Sequence, residues 1–219
     1  IMELFAMRES EKQNISMARF ANVAFSDGSL LHGFTQRFIK RQPISAPFDV
    51  ERYFLSRQES GELCMMSGLL GGNKEIFFPK LNASLDLKKF SDIAQNYLTA
   101  LGYEVFLCES ENEARRKCSE LIEKKKWPCY FFASDTTGEK PFEEFYTGTE
   151  DLILDKFESI GIIENKLEFD EASLDDFLIK LDKFQISKSW DKKQILEIFN
   201  SVLPNFEHIE KGKNLDQRM

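Results

Sequence analysis

Polar side chains and one glycine interrupt an apolar stretch near the start of the chain. Residues from Ile15 to Val23 are typical of a strand, and the sequence then breaks at Ser26-Asp27-Gly28. A helical pattern follows, with apolar residues on one face at Leu30, Leu31, Phe34 and Phe38. A strand that leads through a glycine-containing turn into a helix exposes free N–H groups where the helix dipole favours negative charge. With Asn22, Ser26 and Ser29 adding polar groups, this segment is predicted to bind an anion or a nucleotide.

Several motifs follow one another in a characteristic order. The pattern R-x-x-N-V-x-x-S-x-G-S matches the residues from Arg19 to Ser29. Further motifs occur at Pro43-Ile44-Ser45, Arg52-Tyr53-Phe54, Glu75 to Lys80 (Glu-Ile-Phe-x-Pro-Lys) and Gly138-Glu139-Lys140. Together they resemble extended short-chain dehydrogenases/reductases that act on nucleotide sugars. The resemblance is specifically to UDP-N-acetylglucosamine 4,6-dehydratases and to capsular polysaccharide biosynthesis proteins.

The resemblance implies roles for individual residues, and each role has a simpler alternative. Asn22 would bind the diphosphate or the sugar, but it could also satisfy a turn at the end of a strand. Ser26 and Ser29 would contact phosphate through their backbone, although a serine at such a position is also a helix cap. Arg52 would grip the diphosphate with its planar fork of donors, or would instead pair with Asp49 or Glu51 nearby.

Two further segments complete the implied substrate site. The segment from Pro43 to Pro47, which includes Ser45, would line the uracil or ribose, unless it is an ordinary loop. Glu139 and Lys140 lie in the Gly-Glu-Lys turn, where relatives carry a preceding Arg-Pro and this chain has Thr136-Thr137. This departure removes a positive charge, for which Lys140 is a possible substitute or simply a surface lysine.

The resemblance also implies an activity and a cofactor. Such an enzyme uses NAD or NADP to oxidise C4 of a UDP-amino-sugar, loses water across C5–C6, and returns the hydride to C6. No Gly-rich fingerprint occurs in this sequence, and the family's Tyr/Met-x-x-x-Lys segment would end just before Ile1. Because the opening helix also lacks a capping residue, we expect the chain to be the C-terminal part of a longer enzyme. We therefore expect no catalytic residue in these 219 residues and no cofactor binding by them alone.

Other functions remain open at this point. A 4-epimerase of the same superfamily would share the C4 oxidation without the dehydration. A module that binds nucleotide sugars or mediates assembly without catalysis is a third possibility, in which the helices of residues 170–203 make subunit contacts. An apolar strand edge at residues 17–23 favours a homo-oligomer.

Composition narrows the choice of partners and of compartment. Residues 1–60 carry a net charge of +1 and residues 61–219 one of −9, so a nucleic-acid backbone would be repelled. No run of 18 apolar residues is present, and no signal peptide is recognisable, which predicts a cytoplasmic protein without a membrane span. The cysteines lack C-x-x-C spacing and only two histidines occur, so no metal site is expected and the thiols are predicted to be buried and reduced. These cysteines are Cys64, Cys108, Cys118 and Cys129.

The elements that position these residues indicate an α/β fold. We interpret it as the last strands and helices of a Rossmann-like sheet, with a substrate-binding C-terminal region and a helical C-terminal extension. The predicted helices are an opening helix with Met2, Phe5 and Ala6 on its buried stripe, then Ser56–Leu70, Leu87–Leu101, Ser110–Lys126, Ser173–Phe184 and Asp191–Leu203. The predicted strands are Glu75–Phe78, Tyr103–Leu107, Cys129–Phe132 and Ile160–Ile163.

These elements predict four consecutive segments. Residues 1–60 complete the Rossmann-like domain, and residues 61–165 form a substrate-binding region. Residues 166–205 are the helical extension, and residues 206–219 form a flexible tail. Within the second segment, a strand, a helix and a strand at about 103–133 form a parallel βαβ insertion with no readable function.

Overall fold

A computed structural model describes residues 1–80, 87–135, 144–206 and 208 of the chain. The helices in these residues are α1 (Met2–Glu9), α2 (Leu30–Ile39), α3 (Arg57–Leu70), α4 (Phe90–Ala100), α5 (Glu111–Glu123), α6 (Glu171–Ser187) and α7 (Lys192–Val202). The strands are β1 (Met17–Ala18), β2 (Asn22–Val23), β3 (Ile44–Pro47), β4 (Glu51–Arg52), β5 (Phe54–Leu55), β6 (Glu75–Pro79), β7 (Lys88–Lys89), β8 (Glu104–Leu107), β9 (Lys126–Phe132), β10 (Asp151–Ile153) and β11 (Ile160–Glu164). The predicted α/β class is confirmed.

The chain forms two compact units whose segments alternate along the sequence. The first contains the described residues of 1–19, 64–78 and 146–209, and the second contains those of 20–63 and 79–145. In the part of the chain that the structure describes, no helix has the length and apolar character needed to cross a membrane.

The first unit is built on a four-stranded sheet in the order β1-β6-β11-β10. β1 is parallel to β6, and β10 is antiparallel to β11. Gly161 of β11 allows the ring of Phe78 to approach closely, because a Cβ at this position would lie 2.3 Å from the ring carbon Cζ. Helices α6 and α7 pack against each other through Phe177 and Phe199, and both helices agree with the sequence prediction.

The second unit is built on a three-stranded sheet in the order β3-β9-β8, with all strands parallel. The predicted parallel βαβ unit is present as β8-α5-β9, and β9 also pairs with β3. The core of this unit contains the buried faces of α2, α4 and α5. Phe38 of α2 stacks on Trp127 at 4.6 Å between ring centroids, which anchors the helix to the sheet. Two short pairs complete the unit, β2 parallel to β5 and β4 antiparallel to β7.

The predicted strand from Ile15 to Val23 is wrong as a single element. Its first part pairs with β6 as β1, and its last part pairs with β5 as β2, in a different sheet. Arg19 directly follows β1 in the sequence, and its guanidinium bonds the carboxylates of Glu3 and Glu150, at 2.7 Å each. Two halves with different partners cannot continue one ladder, so the strand is interrupted.

The predicted strand Cys129–Phe132 is present but begins earlier than expected, because β9 runs through Trp127 and Pro128. Proline lacks an N–H group and is rare in a central strand. Here the fully buried Pro128 lies opposite Phe106 of β8, and the indole N–H of Trp127 donates to the carbonyl of Gln42 at 3.0 Å. Burial on both sides holds the strand although one backbone donor is missing.

Three smaller expectations change. Helix α4 begins at Phe90 rather than Leu87, because the two preceding lysines pair with β4 as strand β7. The predicted buried stripe of α1 is wrong, since Met2 is 87% exposed and the helix buries Leu4 and Met7. Cys64 is exposed, whereas the other cysteines are buried as predicted.

Candidate functional site

The turn between β2 and α2 is tight and partly strained. The N–H of Ser26 donates to the carbonyl of Val23 at 3.2 Å, and the N–H of Ser29 donates to that of Ser26 at 3.0 Å. Gly28 has a φ of +78°, which glycine adopts without cost. Phe25 has a φ of +57°, which is uncommon for a bulky residue. Strain of this kind persists where the surroundings enforce it, and it is concentrated at functional sites.

The start of α2 provides hydrogen-bond donors. Ser29 is the N-cap residue, and its hydroxyl oxygen accepts the N–H of His32 at 3.1 Å. The cap alternative for Ser29 is therefore confirmed, but its hydroxyl proton is still available to donate. The N–H groups of Leu30 and Leu31 have no intrahelical acceptor, as in any first turn. The imidazole Nδ1 of His32 lies 3.4 Å from the carboxylate of Asp27.

Arg57 lies at the same turn, and sequence reasoning missed it. Its Nη2 donates to the carbonyl oxygen of Phe25 at 3.0 Å, and its side chain is exposed. The parallel register of β2 and β5 explains this position. This register pairs Asn22 with Phe54 and Val23 with Leu55. Continued by two residues, it places Phe25 opposite Arg57. The turn therefore has a cation that no motif indicates.

Asn22 and Arg52 lie close together because of the same pairing. The backbone N–H of Asn22 donates to the carbonyl of Tyr53 at 3.1 Å, and its side-chain amide lies 3.5 Å from that oxygen. Both of these contacts are made to the segment that precedes β5, not to the turn before α2. Tyr53 directly follows Arg52, so the pairing holds Arg52 one residue away from the contact with Asn22.

Arg52 is only 8% exposed, and its Nη1 donates to the carbonyl of Glu51 at 2.8 Å. The two carboxylates considered as its ion-pair partners have contacts of their own. Glu51 lies 3.8 Å from the ammonium of Lys89, and Asp49 accepts the N–H of Ser134 at 2.8 Å. Burial and the bond to the carbonyl of Glu51 limit the orientations that this guanidinium can adopt.

Ser45 belongs to a different sheet from Asn22. It belongs to the buried strand β3, opposite Tyr130 of β9, whereas Asn22 pairs with β5. The segment Pro43 to Pro47 is therefore neither an ordinary loop nor part of the turn. Glu139 and Lys140, together with Thr136-Thr137, lie outside the described residues.

Arg19, the first residue of the leading motif, has a structural role in the first unit. The side-chain hydrogen bond to Glu3 raises the pKa of Arg19, a second bond to Glu150 acts in the same direction, and burial opposes both. Among the described residues, no group of three or more His, Cys, Asp or Glu side chains could hold a metal ion.

Much of this chain is similar to known proteins. Residues 1–164 match the model of a family described as polysaccharide biosynthesis protein. No curated protein matches the chain significantly. Among solved structures, the X-ray structure of Pen from Bacillus thuringiensis is similar, with 15% sequence identity and a TM-score of 0.48. The match covers 76% of this chain and 46% of the Pen chain, so this chain spans less than half of Pen's length.

Proposed function

Because the chain belongs to the polysaccharide biosynthesis protein family, we propose that it binds the nucleotide-sugar substrate of an enzyme in that biosynthesis. The enzyme is a UDP-N-acetylhexosamine 4,6-dehydratase, and this chain supplies part of its substrate site. The observation that carries the proposal is the strained turn from Phe25 to Ser29. The parallel pair of β2 and β5 places Asn22 before this turn and brings Arg57 to it, and Arg52 lies two residues before β5.

Each of these groups has a defined task in the proposed complex. The N–H groups at the start of α2 and the hydroxyl of Ser26 bind phosphate oxygens, which the helix dipole favours. Arg57, bonded to the carbonyl of Phe25, directs its remaining donors to the diphosphate and supplies charge that the Arg-Pro of relatives would bring. Arg52 and Asn22 orient the diphosphate and the sugar. No proton transfer is assigned to any of them.

The described residues do not fit a dinucleotide cofactor. A Rossmann cradle uses several glycines in its strand-to-helix turn, so that the backbone approaches the pyrophosphate closely. The turn before α2 has one glycine, Gly28, together with Phe25 and Asp27. NAD or NADP therefore enters no step derived from these residues. We expect calorimetric titration of this chain with either cofactor to show no binding, and micromolar binding would contradict that expectation.

The proposal is tested by titrating UDP into the wild-type protein and into four variants. A hydrogen bond to a charged group contributes about 1.5–3 kcal/mol, so Arg52→Ala and Arg57→Gln should each weaken UDP binding about ten- to hundredfold. Arg52→Lys should restore part of the loss, because an ammonium cannot make the forked contact. Arg116→Gln removes an exposed cation of the same unit outside the turn and should leave the affinity unchanged.

The result against the proposal is equally definite. If Arg52→Ala lowers the melting temperature while Arg52→Ala and Arg57→Gln both retain the UDP affinity, these arginines only support the fold. In an enzyme that contains this chain, NMR of the product distinguishes loss of water from inversion at C4. Inversion would assign a 4-epimerase and leave the site assignment in place.

A further inference from the structure

A second group of cations lines a cleft at the opposite end of α2. The cleft has a volume of about 420 Å³ and is lined by Arg37 of α2, Lys40 at the C-cap of α2, Arg115 of α5, and Gln36, Gln42 and Pro43. The path along the axis of α2 from Ser29 to Arg37 is about 12 Å at 1.5 Å per residue. The cleft is therefore distinct from the turn before the helix.

The cations of this cleft form no ion pair with the described carboxylates. In the described part of the chain, no carboxylate lies within ion-pair distance of Arg37, Lys40 or Arg115. Burial lowers the pKa of Arg37, the charge of Arg115 lowers it further, and the charge of Glu111 opposes them more weakly. Since a guanidinium does not lose its proton in proteins, the two arginines repel each other in a partly desolvated place.

Capping of α2 does not account for these cations. The N–H of Gln42 donates to the carbonyl of Arg37 at 2.8 Å, and that of Arg41 donates to the carbonyl of Phe38 at 3.0 Å. These two bonds form a Schellman motif, in which the backbone itself satisfies the last carbonyls. The helix dipole favours cations at this end of α2, but it does not account for Arg115, which belongs to another helix, α5.

The walls of the cleft are held in place. The thiol of Cys118 on α5 lies 3.2 Å from the carbonyl oxygen of Arg41, and the indole of Trp127 bonds the carbonyl of Gln42. The end of α2 is therefore tied to both α5 and β9. The backbone segments that carry these cations therefore need no ordering when an anion binds, which lowers the cost of binding.

We propose that this cleft binds a small molecule through a phosphate or diphosphate group, separately from the nucleotide-sugar turn. Two guanidinium forks and an ammonium match several phosphate oxygens at once. The volume of the cleft lies within the range of small-molecule sites. The chain as a whole carries a net charge of −8, which disfavours a long polyanion such as a nucleic acid and leaves a compact anion as the occupant.

Inorganic pyrophosphate is the probe. Titration of the full chain, followed by NMR of backbone amides, should perturb residues 36–42 and 111–116. Arg115→Gln should weaken binding at least about tenfold, as expected for the loss of one charge-assisted contact. Glutamine keeps the helix propensity, and an unchanged melting temperature verifies the fold. The matched control, Arg116→Gln, removes the neighbouring exposed cation and should change the affinity less than about twofold.

Three outcomes would overturn the proposal. They are the absence of pyrophosphate-dependent shifts, an affinity that Arg115→Gln and Arg37→Gln both leave unchanged, and equal losses in Arg115→Gln and Arg116→Gln. If binding is lost in Arg57→Gln and kept in Arg115→Gln, pyrophosphate occupies the turn before α2 and the cleft is not its site. Conversely, failure of UDP to bind at the turn would leave the pyrophosphate result untouched, so the two proposals fail independently.

Discussion

The two ends of helix α2 present positive potential in different ways. Each end adjoins a non-glycine residue in the left-handed region, Phe25 before the helix and Arg41 after it. At the first end the donors are backbone N–H groups and hydroxyls, and one serine oxygen caps the helix. At the second end the backbone is satisfied by its own cap, and the charge belongs to side chains. One helix can therefore recognise anions by dipole and geometry at one end and by net charge at the other.

The largest effect is expected from a change that affects both ends. Phe34 is fully buried at the middle of α2, so Phe34→Ala should lower the free energy of unfolding by about 3–5 kcal/mol. Urea denaturation measures this, and binding of UDP and of pyrophosphate should weaken together. Ile39→Ala, at an exposed position of the same helix, should remain within about 0.5 kcal/mol of wild type. Loss of only one binding activity in Phe34→Ala would show that the two ends do not depend on a common helix.

Ser29 separates capping from phosphate binding at the first end. Ser29→Ala should cost about 1 kcal/mol of stability through the lost cap, whereas Ser29→Asp keeps a cap oxygen. Aspartate also places a negative charge where phosphate would bind, so Ser29→Asp should retain the melting temperature and lose UDP affinity. Pyrophosphate binding should be unchanged in both variants. Equal UDP affinity in wild type and Ser29→Asp would remove the first turn of α2 from the site.

Arg41 tests the strain at the second end. A left-handed conformation costs a non-glycine residue about 1–2 kcal/mol, and glycine costs about 0.5–1 kcal/mol in entropy. Arg41→Gly should therefore stabilise the protein by roughly 0.5–1 kcal/mol. Phe25→Gly should gain less, because its ring lies 6.3 Å from that of Tyr97 and this packing would be lost. A larger gain for Phe25→Gly, measured by thermal unfolding, would reverse the comparison.

The alkylation rate of Cys118 tests whether the second end of α2 opens, and the test needs no substitution. Burial raises the pKa of this thiol, which lies against the carbonyl of Arg41. Its thiolate fraction at pH 8 is thus lower than usual, and alkylation should be slow and should accelerate as the pH rises toward the raised pKa. The exposed Cys64 is the internal standard and should react first. Mass spectrometry measures the alkylation rates of the two cysteines. Equal rates for Cys118 and Cys64 at pH 8 would show that the end of α2 opens freely.

The sequence predicts local features of this region well. Gly28 marks the turn, Ser29 has the position of a cap, and the apolar period locates α2, because each signal depends on a few neighbouring residues. The amphipathic helices α6 and α7 are predicted for the same reason. Short elements carry too little pattern, which is why the buried stripe of α1 was assigned incorrectly.

Contacts between distant segments could not be predicted. Arg57 reaches the turn through two strands of two residues each, and no pattern in such strands specifies their register. Arg115 meets Arg37 only because α5 packs beside the end of α2, which sequence periodicity does not encode. Relatives carry an Arg-Pro before the Gly-Glu-Lys motif, and this chain does not. Arg57 is our candidate to supply that positive charge, and an alignment of motifs would not suggest it.

The position of β3 has a consequence during biosynthesis. Its partner in the sheet is β9, with Ile44 opposite Cys129, so β3 leaves the ribosome about 85 residues before it can pair. At about 5–20 residues per second, this apolar strand waits for roughly 4–17 s. Pro43 precedes β3 and Pro47 is its last residue, and proline lacks the N–H group that a foreign strand would use. Replacing Pro43 and Pro47 together should therefore lower the soluble yield of newly made protein. The free energy of unfolding of the purified protein should change little.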